Sequence, residues 1–396
     1  MRRVLAVFGT RPEAIKMYPI IKELKDNRQI NLRIAVTAQH REMLDGVLRE
    51  FSIDPDYDLS LMTEGQSLCD LTAKALIGLR AVMDEALPDI VLVHGDTATA
   101  FSAALAAFYS GIPIAHVEAG LRTYRSRDPF PEEFYRRSIS AMSDLHFAPT
   151  AGAAEALIRE GIPRAGIHLT GNTAIDTLRL TVRSDYRSSI TERIGDSPFL
   201  LLTLHRRESI GEPMRAVFRA VRRAAEHSGL SVVYPMHKNP AVRRIAECEL
   251  SSSGRIILTE PLSVTDFHNL LARSTLVVTD SGGVQEEAAF LGKPTLVARH
   301  TTERPEALSA SCRLAGIGEK EIYRMICTLL TDKEEYRRAS VSTDAFGRGD
   351  VILIAHHQHL LNVKLFALFQ CKSDHGGCNA LAPFGWTNAI ADMPAV

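Results

Sequence analysis

Carboxylates, imidazoles and cations recur in this chain at one kind of place, the end of a short apolar run just before a helical pattern. His94-Gly95-Asp96-Thr97 follows the run Ile90–Val93, and His116-Val117-Glu118-Ala119-Gly120 closes the next one. Pro129-Phe130-Pro131-Glu132-Glu133 supplies two more carboxylates. Each has a plain structural reading. Asp before a helix is a good N-cap, and Glu132 with Glu133 would favour a helix N-terminus electrostatically. Gathered on one rim, Asp96, Glu118 and Glu132 suit acid–base chemistry, because burial and mutual repulsion raise carboxyl pKa values toward the working range.

A second set of residues suits phosphate. Gly9-Thr10-Arg11-Pro12-Glu13-Ala14 follows the first apolar run and opens a helix, with Arg11 and Lys16 bringing two cations to that edge. Taken alone, those cations read as surface charge. Later, His205-Arg206-Arg207-Glu208 follows another run, and Asp280-Ser281-Gly282-Gly283-Val284-Gln285-Glu286-Glu287 gives strand, glycines and helix in succession. Helix N-terminal amides bind phosphate, and glycines at positions 282 and 283 would let it approach closely. Glu287, just inside that helix, could accept hydrogen bonds from ribose hydroxyls. Neither segment is a GxGxxG fingerprint, so dinucleotide binding has little support.

The elements that must position these groups alternate along the whole chain. Val4–Phe8, Leu32–Val36, Ile90–Val93, Ile112–Val117 and Leu145–Ala148 read as strands, as do Phe199–Leu204, Val232–Tyr234, Ile256–Leu258, Leu276–Thr279 and Thr295–Val297. Helical patterns such as Pro12–Leu24, Arg41–Glu50, Leu68–Glu85 and Thr97–Tyr109 lie between them. Strands separated by helices predict parallel sheets covered on both faces. Ten strands are too many for one small doubly wound sheet, so two α/β domains are expected. The polar stretch Asp176–Ser197 predicts a linker near 170–198, which places the domains at 1–175 and 198–345. Ligands of such sheets bind outside the carboxyl ends of the strands, and two facing domains would make a cleft there.

Composition agrees with an ordinary globular protein. The 396 residues carry 46 Lys and Arg against 47 Asp and Glu, a formal charge of -1 that gives no bias toward nucleic acid or acidic lipid. No run of about 20 uncharged apolar residues is present, so no membrane span is expected. The first apolar run is too short for a signal-peptide core. Six cysteines with no CxxC pair predict a reduced, cytoplasmic chain. Cys371, Asp374, His375 and Cys378 fit no common zinc signature, and no metal site is expected.

Together the motifs resemble those of the bacterial non-hydrolysing UDP-N-acetylglucosamine 2-epimerases. The matching strings are GTRPEAIKMYP, TAQHREMLD, VHGDT, HVEAGLRT, PFPEE, GNTAID, HRRE, PMHKNP, TDSGGVQEEA, LGKPTLV and TTERPEA, in family order over residues 1 to about 340. The resemblance implies two Rossmann-like doubly wound domains in the GT-B arrangement, with the nucleotide sugar in the cleft between them. It implies catalytic roles for Asp96, Glu118, Glu132 and His205. It implies substrate contacts at Arg11, Lys16, Leu262, Phe267, Ser281, Gly282, Gly283, Glu287 and Arg304. It further implies an allosteric nucleotide-sugar site near Gln39, Arg206 and His237, a homodimer, no cofactor, and supply of a precursor for cell-surface polysaccharide.

The chain departs from the family pattern in places. Phe134-Tyr135-Arg136 stands where PEE is usually followed by x-Asn-Arg. Glu42 and Gly65 stand where some allosteric members carry Gln and Arg. Residues 346–396 do not resemble the family's C-terminus, apart from an echo of its turn in Asp344–Gly349, and are expected to form an atypical tail. Two other readings stay open on the sequence: a GT-B glycosyltransferase using a UDP-sugar donor, and an inactive UDP-sugar-binding regulatory protein.

Overall fold

The computed structural model describes residues 1–37, 41–62, 65–206, 209–302, 304–308 and 311–349, with all their side chains except those of 41 and 42. The first half runs β1 (Arg2–Phe8), α1 (Arg11–Asp26), β2 (Ile30–Val36), α2 (Arg41–Glu50), β3 (Tyr57–Asp58), α3 (Leu68–Ala86), β4 (Ile90–His94), α4 (Ala98–Tyr109), β5 (Ile114–Val117), α5 (Glu132–Met142), β6 (Leu145–Ala148), α6 (Ala151–Arg159) and β7 (Ile167–Leu169). Two helices follow, α7 (Thr173–Thr181) and α8 (Ser189–Ile194). The second half runs β8 (Phe199–Thr203), α9 (Glu212–Ser228), β9 (Ser231–Pro235), α10 (Pro240–Leu250), β10 (Ile256–Thr259), α11 (Val264–Arg273), β11 (Leu276–Thr279), α12 (Gly282–Phe290), β12 (Thr295–Val297), α13 (Pro305–Leu308), β13 (Cys312–Leu314), α14 (Glu319–Thr331) and α15 (Lys333–Ala339).

Each half folds around its own parallel sheet. The orders are β3-β2-β1-β4-β5-β6-β7 and β10-β9-β8-β11-β12-β13. Central strands are apolar on both faces because helices cover both: β1 from Val4 to Phe8 and β4 throughout are buried. Ala100, Ala103, Ala104 and Ala107 of α4 bring that helix close onto Leu5, Val7, Val91 and Val93. In the second half Met214, Val217, Phe218 and Val221 of α9 fill the core against Leu200, Leu202, Val232 and Tyr234. In each sheet the strand order reverses at one seam, between β1 and β4 and between β8 and β11. A crevice forms outside the carboxyl ends at such a seam, and the singled-out motifs follow these four strands or their neighbours.

The predicted linker is only partly a linker. Helix α7 buries Thr173, Ala174, Ile175, Asp176, Thr177, Leu178 and Thr181. The Thr177 hydroxyl donates to the Ile15 carbonyl at 2.7 Å, and the Thr181 hydroxyl lies 2.7 Å from His268 Nδ1. The helix therefore spans the two halves as a strut. Its buried face carries three threonines and a carboxylate beside Ile175 and Leu178, a mixture that a hydrophobicity reading passes over. Residues 346–349, placed by sequence at the start of the tail, also pack here. Phe346 is buried against Ile175, Ala289 and Val297, and its carbonyl accepts from Asn172 N at 2.7 Å. Gly171 (φ +82°) and Gly347 (φ +104°) meet backbone to backbone, where a Cβ on Gly171 would sit 2.7 Å from Gly347 Cα.

Candidate active site

Glu118 follows β5 and holds a left-handed backbone at φ +61°, uncommon and costly for a residue with a Cβ. That turn aims its carboxylate at Lys16 of α1, with which it forms a buried ion pair, and brings Oε2 within 3.9 Å of His94 Nε2. Burial would raise the Glu118 pKa, but Lys16 and His94 outweigh it and hold the group down at about 2. For Lys16, burial acts downward, yet Glu118 and Glu286 prevail and keep the ammonium above its ordinary value. His94 is held neutral, at about 4, chiefly by burial. Its ring nitrogens have no hydrogen-bond partner among the described residues.

Asp96 is not the helix cap that its position suggested. Thr97 caps α4, accepting from Ala100 N at 3.0 Å. Asp96 instead takes a fork from Arg136 of α5, with Nε at 2.8 Å and Nη2 at 2.7 Å. Burial raises the Asp96 pKa and Arg136 opposes the rise. Arg136 also lies 3.4 Å from Glu133. Glu133 has the structural role: fully buried, it accepts from Thr123 N at 3.0 Å and Tyr124 N at 2.9 Å. Its neighbour Glu132 opens α5 with Oε2 buried and without a hydrogen-bond partner among the described residues. An acceptor with a free lone pair suits proton transfer better than one already saturated.

The loop after β1 is clamped from beneath. Glu13 accepts from Gly9 N at 3.0 Å, Thr10 N at 2.8 Å and the Thr97 hydroxyl at 2.7 Å. Burial raises its pKa to about 6 against these bonds. A Cβ at Gly9 would overlap the Thr37 and Thr99 hydroxyls, so the chain needs glycine there. Arg11, set by this clamp, reaches across to the second half and donates to the Leu262 carbonyl at 3.2 Å. Burial lowers its pKa, with Glu50 opposing.

In the second half, Asp280 follows β11 and is fully buried. Its carboxylate accepts from His205 N at 3.0 Å and Arg206 N at 2.9 Å, and lies 3.3 Å from His205 Nδ1. The His205 ring stacks on His237 with centroids 5.8 Å apart. Ser281, Gly282 and Gly283 form the start of α12, and a Cβ at Gly283 would meet nothing within 4 Å. Glu287 lies 3.5 Å from His268 Nε2, the histidine anchored by Thr181. Phe267 packs at the rim of the core formed by Leu270 and Val284.

Arg304 pairs with Glu286, which also accepts from Asn172. Burial raises the Glu286 pKa, with Arg304 and Lys16 opposing. Glu118, Lys16, Glu286 and Arg304 thus form a buried row of alternating charge that crosses between the halves. Asp280, Glu286 and Asn172 stand inside the quoted motifs and Arg136 just after one, yet their types and spacing alone give them no role. Their partners lie across the fold, 114 positions apart for Asn172 and Glu286. Gln39, Cys371, Asp374, His375 and Cys378 lie outside the described residues. Among the described residues no cluster could hold a metal ion.

Comparison with known proteins gives one consistent answer. The family model "UDP-N-acetylglucosamine 2-epimerase" matches residues 22–353. A relative of that name from Bacillus subtilis (strain 168) is 51% identical over 350 residues, 88% of this chain and 92% of its own. The S. aureus MnaA–UDP co-structure superposes with a TM-score of 0.83 at 46% identity, covering 92% of this chain and 98% of that one. A UDP-GlcNAc 2-epimerase from Neisseria meningitidis bound to UDP-GlcNAc gives a TM-score of 0.83 at 42% identity, covering 91% and 100%.

Proposed function

Because the chain belongs to the UDP-N-acetylglucosamine 2-epimerase family, we propose that it interconverts UDP-N-acetylglucosamine and UDP-N-acetylmannosamine by inverting C2 of the sugar. The observation that carries this reading is the pairing of Glu118 with Lys16, which also faces Glu286 of α12, beside the buried carboxylate of Asp96. C2–H is not adjacent to a carbonyl, so its proton does not leave alone. A carboxylate of the rim takes it, the C–H pair becomes the C1–C2 double bond, and the C1–O pair leaves with the diphosphate. UDP then re-adds at C1 while a proton is delivered to the other face of C2. Arg11, His205 and the amides of Ser281–Gly283 meet the departing charge. Lys16 and Arg304 line the sugar side, Glu287 takes the ribose, and Phe267 with the Leu262 backbone takes the base.

Incubation with UDP-N-acetylglucosamine in deuterated water tests the reaction. Deuterium should appear at C2 of the recovered sugar. Recovery of UDP-N-acetylglucosamine alone, with protium at C2, would overturn the epimerase reading and leave donor use by a glycosyltransferase.

Nucleotide binding has its own test. Gly283 faces open space, so Gly283→Val should fold normally and fill the room above the helix end. We expect UDP affinity by calorimetry to fall at least about tenfold, the scale of losing one charge-assisted hydrogen bond. Unchanged affinity in the folded variant would remove this helix end from the phosphate site.

We assign the chain to the cytoplasm as a homodimer, a reading supported by free Cys69, Cys248, Cys312 and Cys327 and by exposed Ile77 and Tyr109. Light scattering checks the dimer. An effector near Arg206 and His237 would touch the turn that carries His205. Hyperbolic velocity curves toward UDP-N-acetylglucosamine, without added effector, would count against that second site.

A further inference from the structure

His205 sits on a turn with little slack. Tyr234, buried in β9, donates its hydroxyl to the Leu204 carbonyl at 2.9 Å just before it. Asp280 directly follows the neighbouring strand, where Thr203 pairs with Thr279, and its own N–H donates to the Thr203 carbonyl at 3.2 Å. Its two oxygens accept from His205 N and Arg206 N, and Oδ1 lies 3.3 Å from His205 Nδ1. The residue is buried and the imidazole partly exposed.

We propose that Asp280 is the positioning residue of His205: it holds Nδ1 toward the protein as the protonated nitrogen and leaves Nε2 for the diphosphate. A carboxylate is an acceptor only, so the nitrogen beside it carries the hydrogen. In the neutral ring Nε2 is then an acceptor, and in the imidazolium it donates to the leaving oxygen. Such a partner sets both tautomer and ring orientation. Among the described residues, the other charged or titratable groups near the ring are His237, stacked on it from the turn after β9, Arg243 of α10 beyond His237, and Arg206 beside it in the chain. None of these supplies an acceptor to Nδ1. The role in turnover rests on the epimerase reading; the tautomer does not.

The first measurement therefore needs no substrate. Nitrogen-15 spectra of the UDP-free parent at a pH where imidazole is neutral, with His205 assigned by its loss in His205→Asn, should show the Nδ1–H tautomer. A predominant Nε2–H form would overturn the proposal, whatever the enzyme's activity. In Asp280→Asn, the side-chain amide can donate toward Nδ1 while its oxygen still accepts from the turn. We expect a shift to Nε2–H and a kcat about 10²-fold lower, the scale of misplacing a general acid or base. KM and UDP affinity should stay within about threefold, since ground-state binding is untouched. A parental kcat in the folded variant would overturn the proposal. In His205→Asn/Asp280→Asn, the second change should cost nothing further, because coupled residues are not additive. Losses that multiply would show that Asp280 acts independently of His205, as a purely structural residue would. Failure of deuterium incorporation in the parent would overturn the epimerase reading alone.

Discussion

Glu132→Gln should lower turnover by about 10²–10⁴, the range for losing a general acid or base, while leaving stability within about 0.5 kcal/mol of the parent. The exchange is nearly isosteric, and the oxygen it alters at Oε2 has no hydrogen bond to lose among the described residues. Glu118→Gln should cost comparable turnover but behave differently on unfolding. It neutralises one member of a buried pair and leaves the Lys16 ammonium, among the described residues, facing only Glu286 from the other half. Breaking a buried ion pair on one side costs about 3–5 kcal/mol. Asp96→Asn should fall between them, since Arg136 keeps Glu133. Steady-state kinetics beside urea unfolding separates the three. Near-parental turnover in Glu132→Gln would remove that residue from the chemistry. A Glu118→Gln protein as stable as the parent would deny the ion pair its structural weight.

Acidification should weaken the fold well before carboxylates titrate generally. His94 and His116 are kept neutral by burial, at about 4 and about 3, with the Gly95 carbonyl 2.8 Å from His116 Nε2. An unfolded chain binds both protons near pH 6.5. Below that pH the unfolded state holds more protons than the native one, so stability falls as pH falls. At 1.36 kcal/mol per pKa unit, the loss approaches roughly 3 kcal/mol for each group near pH 4. Glu13 works the other way. Its folded pKa of about 6 exceeds the unfolded value, so its contribution is whole at low pH and lost as pH rises through 6. Asp96 and Glu286, also raised by burial, act in the same sense as Glu13, while His146 and His237, lowered by burial, join His94 and His116; between pH 7 and pH 5 the histidines dominate and the net slope stays positive. Glu118, at about 2, adds its loss only as pH falls below the usual carboxylate range. Urea midpoints should therefore decline from pH 7 to pH 5, and less steeply in His94→Gln. A flat profile across that interval would contradict the neutral, buried histidines.

The central strands were legible because a parallel strand buried on both faces reads as an unbroken apolar run. The strands that escaped, β3, β7 and β13, have two or three residues and half-exposed patterns such as Ile167–Leu169. Nothing in so short a run separates an edge strand from a loop. Strand-end placement of Asp96, Glu118, His205 and Ser281 could be read from position alone. The partners that tune them could not. Lys16 and Glu118 lie 102 positions apart, and His205 and Asp280 lie 75 apart. The α7 region escapes for another reason: its buried face mixes three threonines, Ala174 and the carboxylate of Asp176 with only two large apolar residues, Ile175 and Leu178.

The meeting of Gly171 with Gly347 marks where the two halves are joined. The chain enters the second half through the segment after α7 and returns from it at Phe346–Gly349, where Arg179 donates to the carbonyls of Arg348 and Gly349. Both crossings therefore fall beside one helix. Two attachment points on a common line leave a hinged body a swing about that line and deny it a pull straight outward. Any such swing would part the two halves on the side remote from α7.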